Sequence, residues 1–390
     1  MVTSFRVTRQ ADGTGPIVAV VGAGTLGVTA AHAALTAGSS VTLLVRDRTG
    51  SGRDVETKAA AVRSSLHREV RRGAMTPTEA TTLLDRLRVT TDHADLATAG
   101  VVVEAVPEDL PTKLAVIDQI EAHVTSTCVI ASSTSSIPAA WLAAKARHPE
   151  RVVVTHYVWP AHRMPLVEVA LHDATSQSAR ARVAALLLAQ GKTVLRVADR
   201  PGFLITRALL AYWSEAVRLV VDGVEPVEVD RALETFGMPL GPLRMLDAAG
   251  IGTAVAVHNR LAPSMGSEAP PLGRLQTVVN RGLTGFYDRT AAGRTPNEAT
   301  VTALRGSEAA AVPSAGAGPG ADAIVDRVIG GLAREVDRAV DEGVVSSWPD
   351  AARAIDLAYG FPAAQGGLQG WWSSRITDPT SRPSISVEMG

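Results

Sequence analysis

Two residues in the stretch THYVWPAHRMPLVEV (155–169) could do proton chemistry. His156 closes a β-branched run, RVVVTH, and Glu168 stands as a lone carboxylate among the apolar residues of LVEVAL. An imidazolium can donate a proton, and the neutral ring can take one back. A carboxylate on the other ring nitrogen would fix the tautomer and favour the charged form. Two adjacent strands could bring these positions together. The residues alone also allow a plainer reading, in which each polar group is simply tolerated in a core.

A second constellation is Gly22-x-Gly24-x-x-Gly27, in GAGTLG. It follows the apolar run PIVAVV and opens an alanine-rich helical stretch, the context a dinucleotide-binding turn requires. The first glycine permits the tight turn, the second admits a pyrophosphate, and the third lets helix and strand pack closely. Gly22, Gly24, Thr25, Leu26 and Gly27 are the expected cofactor-binding turn. The next strand, SVTLLV, should end on an acid if the ribose hydroxyls of NAD are to be held. Val45 stands there instead, followed by Arg46, Asp47 and Arg48. An apolar residue followed by arginine suits a 2′-phosphate, because a guanidinium can bind it bidentately. The strand end therefore favours NADP(H), with Arg48 or Arg53 assisting. NAD(H) stays possible if Asp47 takes the acidic role.

The elements that must hold these groups follow a clear order. Strands PIVAVV, SVTLLV, VVVEAV, CVIASS, RVVVTH, LVEVAL and TVLRVA alternate with helical stretches near 54–73, 77–87, 111–123 and 176–190. Alternation of this kind predicts a parallel, doubly wound α/β sheet. Arg63, Arg68, Arg71 and Arg72 on the first of those helices read as a solvated face. After Asp199 no convincing strand remains, and the pattern becomes all-helical. The expected organisation is a mobile leader (1–14), a Rossmann-type domain (15–199), a helical substrate domain (200–290), a small-residue linker or loop (291–321) and a second helical domain (322–390). The two helical parts read as copies. Glu215 and Glu335 each precede a glycine (Gly223, Gly343) by eight residues, and each part then reaches a Gly-x-Pro, Gly237–Pro239 and Gly360–Pro362.

Bulk composition excludes several classes of function. At 390 residues and 46% hydrophobic, the chain can bury two or three cores. A net charge of −1 gives no reason to expect nucleic acid or an anionic membrane as partner. No apolar run is long enough for a membrane span. The one cysteine, Cys128, excludes a disulfide framework and fits a reducing cytoplasm. No metal site is expected.

Six segments, GAGTLG, VVVEAVPEDLPTKLAV, ASSTSSIPA, THYVWPAHRMPLVEV, RPGFLITRALL and GMPLGPLRMLDAAGI, resemble in that order the signatures of the 3-hydroxyacyl-CoA dehydrogenase family. The second helical part is similar to the extra C-terminal repeat in the dehydrogenase half of multifunctional fatty-acid oxidation proteins. The resemblance implies a Rossmann-type domain, helical C-terminal domains and a substrate between them. It also implies that His156 and Glu168 are the catalytic pair. Ser135 matches the serine that bonds the substrate oxygen or cofactor, and Glu108 and Lys113 match cofactor-side positions.

Three positions depart from the family pattern. Ser133 and Trp159 each stand where the family has asparagine, and Thr206 stands where an asparagine polarises the substrate carbonyl. Trp159 is expected to shape a pocket for an apolar or aromatic acyl group. The leading expectation is hydride transfer at the β-carbon of a 3-oxo or 3-hydroxyacyl thioester, carried by coenzyme A or a carrier protein. His156 would be the general acid/base, Glu168 would orient it, and Ser135 with Thr206 would hold the oxygen. The NADP-leaning strand end favours biosynthetic reduction, as in a specialised acyl or polyketide pathway. The alternatives are NAD-dependent oxidation in fatty-acid degradation and a non-catalytic dinucleotide-binding scaffold. A second helical copy that covers the first would leave a monomer or a different homodimer.

Overall fold

The computed structural model describes residues 2–3, 16–47, 50–265, 272–288, 295–306 and 319–375. It divides into two compact units, residues 1–200 and 201–390.

The first unit is built on a nine-stranded sheet. Its strands are β1 (Val2–Thr3), β2 (Val18–Val21), β3 (Val41–Leu44), β4 (Leu87–Thr90), β5 (Val101–Glu104), β6 (Val129–Ser132), β7 (Val152–Tyr157), β8 (Leu166–Ala170) and β9 (Thr193–Val197). They lie in the order β1-β9-β8-β7-β6-β5-β2-β3-β4. Strands β2 to β7 are mutually parallel where they pair. The helices are α1 (Thr25–Thr36), α2 (Arg53–Arg71), α3 (Pro77–Leu84), α4 (Leu110–Glu121), α5 (Ala139–Ala143) and α6 (Gln177–Ala189). β2, β5 and β6 are buried along their whole length, so they read as continuous apolar runs rather than alternating ones. The chain leaves β2 toward β3 on one side and has β5 on the other, which opens a crevice at the carboxyl end of β2.

Two expectations are corrected here. The sheet is not wholly parallel: β8 runs antiparallel to β7, and β9 follows β8. The link from β7 to β8 is a loop of eight residues, too short for the crossover that parallel strands need. The 77–87 helix stops at Leu84, and LRVT becomes the edge strand β4. The expected leader falls mostly outside the described residues, except that Val2–Thr3 pair with β9. The arginines of α2 are exposed, as a solvated face requires.

The second unit is all-helical. It contains α7 (Phe203–Val221), α8 (Pro226–Phe236), α9 (Pro242–Ala249), α10 (Ile251–Met265), α11 (Leu275–Asn280), α12 (Glu298–Arg305), α13 (Ala321–Asp341), α14 (Trp348–Tyr359) and α15 (Gly367–Ser373). Helix α12 lies inside the expected linker and corrects that reading in part. Asn297 caps it by accepting from the Thr300 N–H, and Val301, Ala303 and Leu304 are buried. Helices α7 and α13 pack along each other with reciprocal contacts. Arg207 of α7 meets Glu335 of α13 at 2.7 Å, and Arg327 of α13 meets Glu215 of α7 at 3.2 Å. A Cβ on Gly237 would meet Pro362 at 2.8 Å, and one on Gly360 would meet Pro239 at 2.8 Å. Reciprocal contacts of this kind arise when two like units face each other about a local two-fold axis. No described helix is long and apolar enough to cross a membrane.

Candidate active site

The first-unit residues converge on the carboxyl end of the sheet. A cleft of about 1330 Å³ opens there, lined by Gly22, Gly24, Thr25, Leu26, Val45 and Arg46 among others. The glycines divide their work as the spacing demands. Gly22 sits at φ +100°, and a Cβ on it would lie 2.6 Å from the Ala105 carbonyl oxygen. A Cβ on Gly27 would come within 1.9 Å of the Gly22 carbonyl oxygen, so this residue serves packing and does not line the cleft. Gly24 has nothing within 4 Å of an added Cβ, and as the N-cap of α1 it faces open space beside unpaired helix N–H groups. That cradle fits an anionic pyrophosphate. Gly27→Ala must shift backbone, so we expect a loss of about 1–3 kcal/mol of stability with weakened cofactor binding. Thermal melts and an NADH titration would check both.

The strand end after β3 is now explicit. Val45 is buried, Arg46 is exposed at the cleft, and Asp47 is occupied. Its two carboxylate oxygens accept from the N–H groups of Gly50 (3.0 Å) and Gly52 (2.7 Å), which fastens the turn into α2. Arg53 begins α2, and Arg48 lies outside the described residues. Lys58 and His93 also line the cleft. Sequence reasoning gave them no part, because only the fold brings α2 and the segment after β4 to the same opening.

Glu108 and Lys113 form a hub behind the cofactor turn. Lys113 is fully buried and donates to both oxygens of Glu104, at 2.9 and 3.0 Å. It also lies 3.4 Å from Glu108. Glu104 takes two further donors, the Val106 N–H at 2.7 Å and the Ser132 hydroxyl at 2.5 Å. Glu108 accepts from the hydroxyls of Thr134 (2.6 Å), Ser135 (3.2 Å) and Ser136 (2.8 Å), and from the Ser135 N–H (2.9 Å). Burial pushes the Glu108 carboxyl up, but Lys113 and these donors outweigh it and hold the group below its usual range. The SSTSS loop is thus organised by a carboxylate from the neighbouring strand end. Glu104 escaped sequence reasoning. Its signal was a glutamate closing the apolar run VVVE, which is costly to bury without a partner.

His156 and Glu168 are brought together. They are direct cross-strand partners in the β7–β8 pairing. The imidazole Nδ1 lies 2.7 Å from a Glu168 carboxylate oxygen, and the Glu168 side chain is fully buried. An ionised carboxylate there places the proton on Nδ1. The period-2 geometry of strands puts both side chains on one face.

The three departures from the family pattern fall in different settings. Ser133 is buried, and its hydroxyl has no partner among the described residues. Trp159 is 56% exposed in the loop between β7 and β8, joined to Pro160 by a cis peptide. Thr206 belongs to the second unit, buried in the first turn of α7, just after Gly202 and Phe203, both in left-handed backbone. Among the described residues no His, Cys, Asp and Glu cluster could hold a metal.

Residues 17–200 match the family model for the 3-hydroxyacyl-CoA dehydrogenase NAD binding domain. Residues 202–287 match the model for its C-terminal domain. Over 365 residues the chain is 31% identical to a fatty acid oxidation complex subunit alpha of Psychrobacter arcticus, covering 90% of this chain and 49% of that protein. The chain thus spans about half the length of this curated relative. Among solved structures it is similar to FadB2 of M. tuberculosis, at 32% identity and TM-score 0.65, covering 69% of this chain and 95% of that one. The 3-hydroxybutyryl-CoA dehydrogenase of Escherichia coli K12 shares its fold at 23% identity and TM-score 0.74, covering 92% of this chain and 91% of that one. With two family models matched in order over residues 17–200 and 202–287, the chain belongs to the 3-hydroxyacyl-CoA dehydrogenase family, a family of NAD(P)-dependent oxidoreductases.

Proposed function

We propose that this chain interconverts 3-hydroxyacyl-CoA and 3-oxoacyl-CoA thioesters with NAD(H), in the oxidative direction. The observation that carries the reading is the 2.7 Å bond between His156 Nδ1 and Glu168 across a directly paired strand position. With Nδ1 held, Nε2 is the nitrogen that exchanges a proton with the substrate oxygen. In oxidation it takes the proton of the 3-hydroxyl; in reduction the imidazolium returns it. Glu168 keeps the tautomer and balances the imidazolium. Nicotinamide, when bound, supplies the hydride acceptor or donor. In the first unit Ser135 is the group we assign to the reacting oxygen; Thr206, in the second unit, stays a separate candidate carried by the family pattern. Glu108 holds the Ser135 hydroxyl, so that serine is oriented before substrate arrives. Threonine in place of an amide offers one shorter donor, and Thr206→Asn should raise kcat several-fold if carbonyl polarisation limits the rate.

The NADPH-dependent biosynthetic reading has no support from the curated relatives, which are named for fatty-acid oxidation. One local observation favours it as the second reading: Asp47 is engaged by Gly50 and Gly52, while Arg46 lies exposed at the cleft. Fluorescence titration with NADH and NADPH side by side tests both. Tighter NADH binding, little changed by Arg46→Ala, supports the oxidative reading. Tighter NADPH binding that is lost with Arg46→Ala overturns it in favour of reduction. If neither binds, the scaffold reading takes its place. We further read the two helical parts as copies, the second covering in one chain the face that would otherwise pair with another molecule. Sedimentation at micromolar concentration should then show a monomer.

A further inference from the structure

The loop that joins the proposed catalytic pair is held by more partners than a hairpin needs. Residues 158–165 connect β7, which carries His156, to β8, which carries Glu168. Ala161 is fully buried, so its carbonyl has no water to turn to. Lys192, at the start of the neighbouring strand, is 6% exposed and donates to the Ala161 carbonyl at 2.5 Å and to the Met164 carbonyl at 2.8 Å. The rest of the loop is tied from other sides. The Ala161 N–H donates to the Thr29 hydroxyl of α1 at 3.3 Å. The His162 ring stacks on His32 of α1 with centroids 4.2 Å apart. Arg163 pairs with Glu69 of α2 at 2.6 Å, and the Pro165 carbonyl accepts from the Thr193 N–H at 2.7 Å.

We propose that Lys192 is a positioning residue for the reaction, holding the loop so that His156 and Glu168 stay in register and Trp159 is presented beside them. The proposal rests on the assignment of His156 and Glu168 as the catalytic pair. The physical argument has three parts. A hairpin's register is set by its loop, and a slip of one residue would turn Glu168 to the opposite face of the sheet. The two carbonyls, three residues apart, are loop acceptors with no strand partner, and a buried acceptor left unpaired is costly. One ammonium has three donors and satisfies both at once. Burial pushes the Lys192 ammonium down to about 8, so the position keeps a cation against its solvation preference with only carbonyl oxygens as hydrogen-bond partners. Trp159 lies two residues before Ala161. Its exposed ring is therefore carried on a fixed backbone, which suits stacking against an apolar part of the substrate.

Neither Lys192 nor any residue of the loop lines the cofactor cleft. The clamp should therefore act on the acyl half-reaction and not on cofactor binding. The experiment is steady-state kinetics with NADH and acetoacetyl-CoA on the full chain, comparing Lys192→Met, Lys192→Arg and His156→Gln, with NADH affinity measured by fluorescence. Lys192→Met should lower kcat by about 100-fold, the scale of a small misplacement of reacting groups. The KM for acetoacetyl-CoA should rise, and NADH affinity should stay within about two-fold, since this substitution leaves the cleft intact. Lys192→Arg, which keeps cation and donors, should recover most of kcat. If Lys192→Met melts at a lower temperature but its folded fraction turns over like the parent, the residue is only structural and the proposal fails. Equal loss of NADH affinity also overturns it. If His156→Gln leaves turnover unchanged, the catalytic assignment itself fails, an outcome distinct from either.

Discussion

Replacing His156 with glutamine lowers kcat by about 10²–10⁴-fold, the range that a positioned general acid/base contributes. Glutamine keeps much of the size and one hydrogen bond to Glu168, but it cannot carry the proton. The residue does not line the cofactor cleft, so NADH binding should be unchanged. The measurement is loss of NADH absorbance with acetoacetyl-CoA, alongside a fluorescence titration of NADH. Turnover that matches the parent removes the imidazole from the mechanism and favours the scaffold reading. Glu168→Gln should give a smaller loss, because His156 remains while its partner no longer balances the imidazolium. The cost of keeping Glu168 argues for a working site. A fully buried carboxylate between two strands destabilises the fold unless something uses it or pairs with it, and the imidazole lies 2.7 Å away.

The second large effect concerns the helical unit. Glu335→Gln should destabilise the second unit by about 1.5–3 kcal/mol, the scale of a hydrogen bond to a charged group, because it removes the buried one of the two carboxylates that bind Arg207 and leaves Glu342, which holds the guanidinium through two hydrogen bonds. The Arg207 and Glu335 side chains are 4% and 0% exposed, and Arg338 also contacts Glu335. Glu342 contacts Arg207 at 2.6 Å but is 40% exposed, so solvent weakens its help. The reciprocal pair offers a built-in control. Arg327 and Glu215 are 35% and 14% exposed, and Arg327 keeps Asp222 at 2.7 Å. Glu215→Gln should therefore cost only about 1 kcal/mol or less, in the range of partly solvated pairs. Denaturant melts of both variants decide the matter. Equal losses would mean that burial does not distinguish the two halves of the exchange.

Much of the site was legible in the residues before any fold was known. GAGTLG announced its three glycine roles, since the turn, the phosphate approach and the packing contact are local demands on a few consecutive residues. His156 and Glu168 were legible from the residues as groups that two adjacent strands could bring together, and the family resemblance singled them out as a pair; their direct register appears only in the β7–β8 pairing. The alternation of strands and helices, and the change to all-helical sequence after Asp199, followed from periodicity alone.

Other features depended on partners far away in the chain. LRVT has too few residues to distinguish an edge strand from a helix end, and only its pairing with β3 decides it. NEATVTALR sits in a small-residue stretch that reads as a linker, yet burial of Val301, Ala303 and Leu304 makes it a helix. Glu104 and Lys192 look like ordinary charges in the sequence, and Lys113 stood out only through the family resemblance. Their roles exist only because the sheet removes water from around them and leaves one another, or a pair of loop carbonyls, as the available partners. The amino-acid sequence by itself determined the alternation of most strands and helices and the dinucleotide turn, because each is written in spacing over a few residues, and it supplied His156 and Glu168 as the candidate pair. The tertiary structure alone decided which charges are buried, what compensates them and how the loop between β7 and β8 is held, because desolvation is a property of the assembled core and not of any local pattern.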